Sequence, residues 1–175
     1  MRPSKKSKSA LTLLCLLFSA FFAYGAYGSE APTVRIEPIE ASAPCHIADM
    51  TQKSVIRDYL RAWQGMAAAF QSNQPEALNA DFVGTARQKL ETTIHQQQQL
   101  GITTYYRARR HDLKLVFCSP EGLSVQLVDS VSYDVGLQDH GQTRPAQHVR
   151  SQYVAVLSPT ETRWKVRVFQ GESEH

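Results

Sequence analysis

The chain has 175 residues, 42% of them hydrophobic and 20% charged, which suits one folded domain and sets aside a disordered or fibrous chain. Its formal charge is +3, but Arg2, Lys5, Lys6 and Lys8 crowd the first eight residues, and without them 15 basic side chains face 16 acidic ones, or −1. The basic pI of about 8.8 therefore belongs to the N-terminus, and the rest of the chain offers nucleic acid no electrostatic footprint.

Behind the basic cluster, "ALTLLCLLFSAFFAYGAYG" (10–28) runs without a charge until Glu30. Positive charge, a short apolar core and small residues at its end make the pattern of a secretory signal over residues 1–28. Ala26 and Gly28 stand at the minus-three and minus-one places for a cut before Ser29, with Ala23 and Gly25 as an earlier alternative. A single uncleaved anchor is the competing reading, since a spanning helix needs only about 17–25 apolar residues. Cys15 is set aside as a lipid-attachment site, because Leu14 precedes it where a small residue is needed. Under either reading the folded part is exported, periplasmic or extracellular, and meets a membrane only through that segment if it stays uncleaved. Removal of the signal leaves Cys45 and Cys118. Two cysteines in an oxidising compartment most simply pair, closing a loop of about 70 residues; two free thiols are the alternative.

"SEAPTVRIEPIEASAP" (29–44) is rich in Pro, Ala and Glu and reads as part of an extended tail over 29–48. The domain is expected over 49–171. Ile56, Leu60, Trp63, Ala67 and Phe70 recur at helical steps, and Val55, Tyr59, Ala62 and Met66 widen that face. Asp49 or Thr51 is expected to cap this helix, and "SNQP" to end it. Pro75 then suits the first turn of a short helix carrying Leu78. A third helix is predicted over Thr85–Leu100, with Ala86, Leu90, Ile94 and Gln97 on one side and Gly101 as its stop. The "QQQQ" run (96–99) is read as solvated helix surface.

After Gly101 the period changes to two. Leu113, Leu115 and Phe117 share a face before the turn "SPEG". Leu123, Val125, Leu127, Val131, Tyr133, Val135 and Leu137 share the next, and "QDHGQTRP" connects onward. Val149, Tyr153, Ala155 and Leu157 follow, then "SPTET", then Trp164, Val166 and Val168. Helices first and consecutive antiparallel strands after them mean an α+β fold, with a curved sheet of about four strands over a long N-terminal helix.

The order of long helix, short helix, third helix and curved sheet resembles the NTF2-like superfamily across roughly residues 49–170. The local marks are "IRDYLRAWQGMAAAF" at the start and "TRWKVRVF" in the last strand. The segment "RAWQGMAAAF…LNADFVGTARQKLETTIHQQQQLGITTYY" is similar to the non-catalytic scaffold branch, which includes intermembrane-space and translocase-type domains used for protein contacts. The other branch, of SnoaL and ketosteroid-isomerase type, places an Asp and a Tyr in the cone. The resemblance thus implies a cone-shaped domain and, first, a protein-binding or scaffold module at or near a membrane. Its partner would be an unidentified protein, or a second copy of the chain through the sheet. The alternative is a small-molecule-binding or isomerase-like pocket protein.

Asp129 is the polar candidate for that alternative. Alternation points it inward with Leu127 and Val131, where a carboxylate needs partners. Beside a phenol from Tyr133 or Tyr153 it could take a proton next to a carbonyl while the phenol holds the oxyanion. The bland reading is a bulge at "VDSVS" that turns Asp129 outward, or an arginine that satisfies it. "YYRARRHDLK" (105–114) is read as an exposed strand face, with His111 and Asp112 on opposite sides. The six histidines lack zinc-ligand spacing, and no phosphate loop or nucleophile elbow is present. No metal or other cofactor is therefore assigned, and the balance is against an enzyme.

Overall fold

A computed structural model describes residues 31–39 and 44–173. The signal or anchor segment, Cys15 and part of the expected tail lie outside the described residues. In chain order come β1 (Thr33–Ile36), α1 (Asp49–Ser72), a 3-10 helix (Pro75–Ala80), α2 (Gly84–Gln99), β2 (Ile102–Cys118), β3 (Val125–Asp139), β4 (Gln142–Thr143), β5 (Gln147–Pro159) and β6 (Trp164–Ser173). One sheet runs β1-β2-β3-β5-β6, with the two-residue β4 folded back onto β3. The four long strands are those expected, and β1 and β4 are additional.

The helices form where the apolar spacing places them. Val55, Ile56, Tyr59, Ala62, Trp63, Met66, Ala69 and Phe70 of α1 are buried, while Leu60 and Ala67 sit at the margin of that face. Ala48, not Asp49 or Thr51, occupies the cap position, so Asp49 acts as first-turn charge facing the helix dipole. Asn73 closes the helix in the left-handed region, and Gly101 (φ 67°) does the same after α2. The glutamine run is not uniformly solvated. Gln97 is buried, donating to Phe70 O at 2.7 Å and to Asn73 Oδ1, and accepting from Thr104 Oγ1 at 3.0 Å. It ties α2 to the end of α1 and the start of β2.

The inward face of the sheet follows alternation until a bulge resets it. Register shifts fall between Ala108 and Arg110, between Leu115 and Phe117, and at Val156–Leu157 against β6. A bulge adds one residue and inverts the side-chain phase beyond it. Phe117 therefore leaves the face of Leu113 and Leu115 and is 41% exposed, while Cys118 turns in opposite Val125. Likewise Val168 pairs with Val156 on the outer face, and Phe169 takes the inward place expected of Val168. Leu123 belongs to the turn and is 63% exposed.

The inverted phase at Cys118 is what lets the tail cysteine reach it. Cys45 and Cys118 are joined by a disulfide, with Cα atoms 4.4 Å apart, and Cys118 N–H donates to Pro44 O at 3.0 Å. The stretch before it is extended but is no free tether: β1 lies parallel to β2 with Val34 opposite His111 and Ile36 opposite Leu113. Replacing both cysteines with serine is expected to cost about 2–5 kcal/mol, because the bond closes a long loop in the unfolded chain. Urea titration of the two proteins checks this, and wild type in reductant should behave as the double variant does.

A second anchor fixes α1 against β6. Asp58, buried on α1, accepts from the Trp164 backbone N–H at 2.8 Å and pairs with Arg57 and Arg61. Burial alone raises its pKa, but hydrogen bonds from Arg57 and Trp164 and the two guanidinium charges outweigh that and leave it below the ordinary 3.8. A carboxyl depressed in the folded state stabilises it fully above 3.8, and that contribution disappears as pH falls through the folded-state value. Urea midpoints measured from neutral pH down through pH 3 should thus drop along a steep acid limb, and Asp58→Asn should flatten it. An unchanged limb would remove Asp58 from the account.

Candidate functional site

Among the described residues, a polar chain runs through the interior between α1 and the inward sheet face. Spacing of four on α1 stacks Tyr59 and Trp63 on the inward face. Alternation on β2 and β3 places His111 beside Leu113, and Asp129 between Leu127 and Val131, all facing in. Both the β2 and β5 ladders run past Asp129 without a register shift there, so no bulge turns it outward. Its side chain has 0% exposure.

The hydrogen bonds run one way. An indole N–H only donates, so Trp63 Nε1 donates to Tyr59 Oη at 2.8 Å, and that hydroxyl is left to donate to Asp129 Oδ2 at 2.9 Å. His111 Nδ1 lies 2.7 Å from the same oxygen, and a carboxylate oxygen that only accepts makes Nδ1 the protonated nitrogen. Asp129 Oδ1 is buried with no hydrogen-bond partner among the described residues. Desolvation first, then the Asp129 charge, pushes the Tyr59 phenol well above its ordinary value, so it stays a donor.

The phenols expected beside Asp129, Tyr133 or Tyr153, face each other instead. Tyr153 stands opposite Asp129 in register, yet its hydroxyl is 3.5 Å from that of Tyr133, too long for a strong hydrogen bond. Burial, then the neighbouring Tyr133, raises Tyr153, and burial pushes Tyr106 up to about 12. Tyr153 and Tyr106 therefore stay proton donors at neutral pH and cannot serve as bases. Trp63 fills the space between them: its ring meets His111 at 5.4 Å, Tyr133 at 5.8 Å, Tyr153 at 5.2 Å and Phe169 at 5.6 Å. Chemically the set could hold or pass a proton at Asp129 Oδ2. As it stands, Trp63 and the tyrosines occupy the ground a ligand would need.

Asp129 stands out in the sequence, but its links to Tyr59, Trp63 and His111 do not. His111 was legible, since it lies two residues before Leu113 on the same face. Tyr59 and Trp63 carry the signal of the inward helix face, and spacing alone marks that face as packing without revealing their hydrogen bonds.

Part of the opposite sheet face is polar. Two rows cross it in register, Asp112–Ser130–Gln152 and Arg110–Ser132–Arg150. Short serines between longer side chains leave a groove of about 430 Å³. Arg110 forks onto Asp112 at 2.8 and 2.9 Å, and Arg109 and His148 both reach Asp134 at 2.7 and 3.0 Å. Hydrogen bonds from His148 and Arg109 hold the Asp134 carboxyl below 3.8. The basic stretch 105–114 is not the exposed strand face expected of it: only Arg109 and Arg110 are exposed, while Tyr106, His111 and Leu113 turn in to the core and Asp112 turns out. Among the described residues no helix is long and apolar enough to cross a membrane.

No protein-family model matches the chain, and no curated protein matches it in sequence. Its backbone is similar to several solved structures. The intermembrane-space region of the chloroplast protein ARC6 superposes with a TM-score of 0.59 at 13% identity, covering 74% of this chain and 100% of that one. A putative scytalone dehydratase from Novosphingobium aromaticivorans gives 0.53 at 16% identity, over 73% and 89%. A type 2 hexachlorocyclohexane dehydrochlorinase (LinA) gives 0.52 at 11% identity, over 73% and 90%. Likeness at such identities speaks for architecture and not for activity. With its helices on a curved sheet and these structural neighbours, the chain has the NTF2-like fold.

Proposed function

We propose that this chain is an exported, non-catalytic binding module that engages a protein partner at or near a membrane through its surface, while its interior polar chain serves packing. One observation carries the reading. The Asp129 carboxylate has no exposed surface, is held by Tyr59 and His111, and lies behind Trp63, whose ring packs against His111, Tyr133, Tyr153 and Phe169. A base that cannot meet a substrate does no chemistry. The Cys45–Cys118 bond suits an oxidising compartment, in keeping with the basic and apolar N-terminus. The similarity to an intermembrane-space region supports the same direction.

A pocket function centred on Asp129 is the second reading, favoured by the unpartnered Oδ1 beside a histidine and a tyrosine. It requires Trp63 to swing aside. The two separate in one experiment: a photo-crosslinking residue at Gln152, on the outer face, combined with native mass spectrometry of the protein from its own host. The binding-module reading expects a discrete protein adduct. A co-purifying small molecule that is lost in Asp129→Asn would overturn it in favour of the pocket.

A further inference from the structure

The strand at the rim of the sheet, β1, has one edge covered by β2 and nothing among the described residues on the other. Its hydrogen-bonding groups can be assigned by parity. Glu37 N–H donates to Leu113 O at 2.8 Å, so the backbone groups of Glu37 and Arg35 face β2. Those of Val34 and Ile36 face away, as would those of Pro32 and Pro38, which have no N–H to offer. The free edge therefore carries donors only at Val34 and Ile36, bounded by a proline on each side. Val34 and Ile36 are 38% and 46% exposed, sharing the inward face of the sheet but lying beyond the core. Arg35 and Glu37 point to the other face and form no ion pair among the described residues.

We propose that this edge pairs with the same edge of a second copy of the chain, antiparallel about Ile36. The charges select the occupant and the register together. A two-fold centred on Arg35 sets arginine against arginine, and one centred on Glu37 sets glutamate against glutamate. Centred on Ile36, Arg35 stands opposite the partner's Glu37 and Glu37 opposite the partner's Arg35. Directly opposed unlike charges stabilise a strand pair and like charges destabilise it. In this register each Ile36 N–H donates to the partner's Ile36 carbonyl, and each Val34 N–H donates to the partner's Pro38 carbonyl, so every outward donor is used. The exposed Ile36 side chains then meet across the axis, and the prolines stop the pairing from spreading. The result is one sheet continuous through two subunits, joined isologously. This inference does not depend on the reading of Asp129.

The test is charge reversal followed by sedimentation velocity on the full chain in a mild detergent. Wild type should dimerise reversibly and less tightly at high salt. Arg35→Glu alone sets glutamates against glutamates, and Glu37→Arg alone sets arginines against arginines; each should raise the dissociation constant roughly tenfold. The double variant R35E/E37R restores both pairs and should return to the wild-type constant. An equimolar mixture of the two single variants should form a heterodimer, since each supplies what the other lacks. Arg35→Glu also brings a carboxylate beside Asp112, its register partner, so thermal melts of every variant accompany the run, and the mixture distinguishes lost pairing from local unfolding. A wild-type monomer up to about 100 μM would overturn the proposal. So would a dimer indifferent to the single reversals, or single-variant losses that neither the double variant nor the mixture repairs.

Discussion

Asp129→Ala should destabilise the protein by about 3–5 kcal/mol, the cost of leaving buried, hydrogen-bonded partners of a charge without it. The loss has a specific origin. Both the Tyr59 hydroxyl and His111 Nδ1–H donate to Asp129 Oδ2, in a space that water does not reach. Asp129→Asn keeps a carbonyl acceptor at that place and should cost less, about 1–3 kcal/mol. The two variants thus separate the loss of charge from the loss of the acceptor. Combining Asp129→Ala with Tyr59→Phe should recover part of the loss, because one orphaned donor goes with it. Urea denaturation of the four proteins measures each term. A cost under about 1 kcal/mol for Asp129→Ala would mean that solvent enters the site, and the pocket reading would then deserve the preference.

Trp63→Ala is expected to cost a further-reaching 3–5 kcal/mol. The indole touches four aromatic rings drawn from β2, β3, β5 and β6, and its N–H orients the Tyr59 hydroxyl toward Asp129. Removing it leaves a cavity and also frees Tyr59 to rotate. Trp63→Phe retains a ring without the N–H and should lose about 1–3 kcal/mol. Added indole supplies both the ring and the donor, so it should raise the melting temperature of Trp63→Ala and leave wild type unmoved. If indole stabilises both proteins equally, Trp63 is not the plug that keeps the interior closed.

The two results bear on function as well as stability. If Trp63 is a fixed plug, Asp129 and His111 are a buried tie between helix and sheet, and recognition belongs to the surface. If wild type itself admits indole, the same residues line a site that opens. One protein and one probe distinguish these cases.

Much of this arrangement was set by short-range pattern. A period of two put Asp129 and His111 on the inward side of their strands, and a period of four put Tyr59 and Trp63 on the inward side of α1. The helix stops at Asn73 and Gly101, the sheet order after Gly101 and the availability of Cys45 and Cys118 for one bond were legible for the same reason: each depends on a few neighbouring residues. Three things were decided only in the folded molecule. The bulges that expose Phe117, turn Cys118 inward and exchange Val168 for Phe169 arise from sheet curvature and from the partner strand, which a strand's own residues do not specify. The meeting of Tyr59 with Asp129 spans a separation of 70 residues, and no local periodicity encodes which inward side chains touch. Finally, the tail contributes an edge strand because β2 leaves one side unpaired and the disulfide holds the segment there. Away from the bulges, local sequence determined which way each side chain faces; closure of the sheet over the helices decided what it faces, since contact between distant residues is a property of the packed whole.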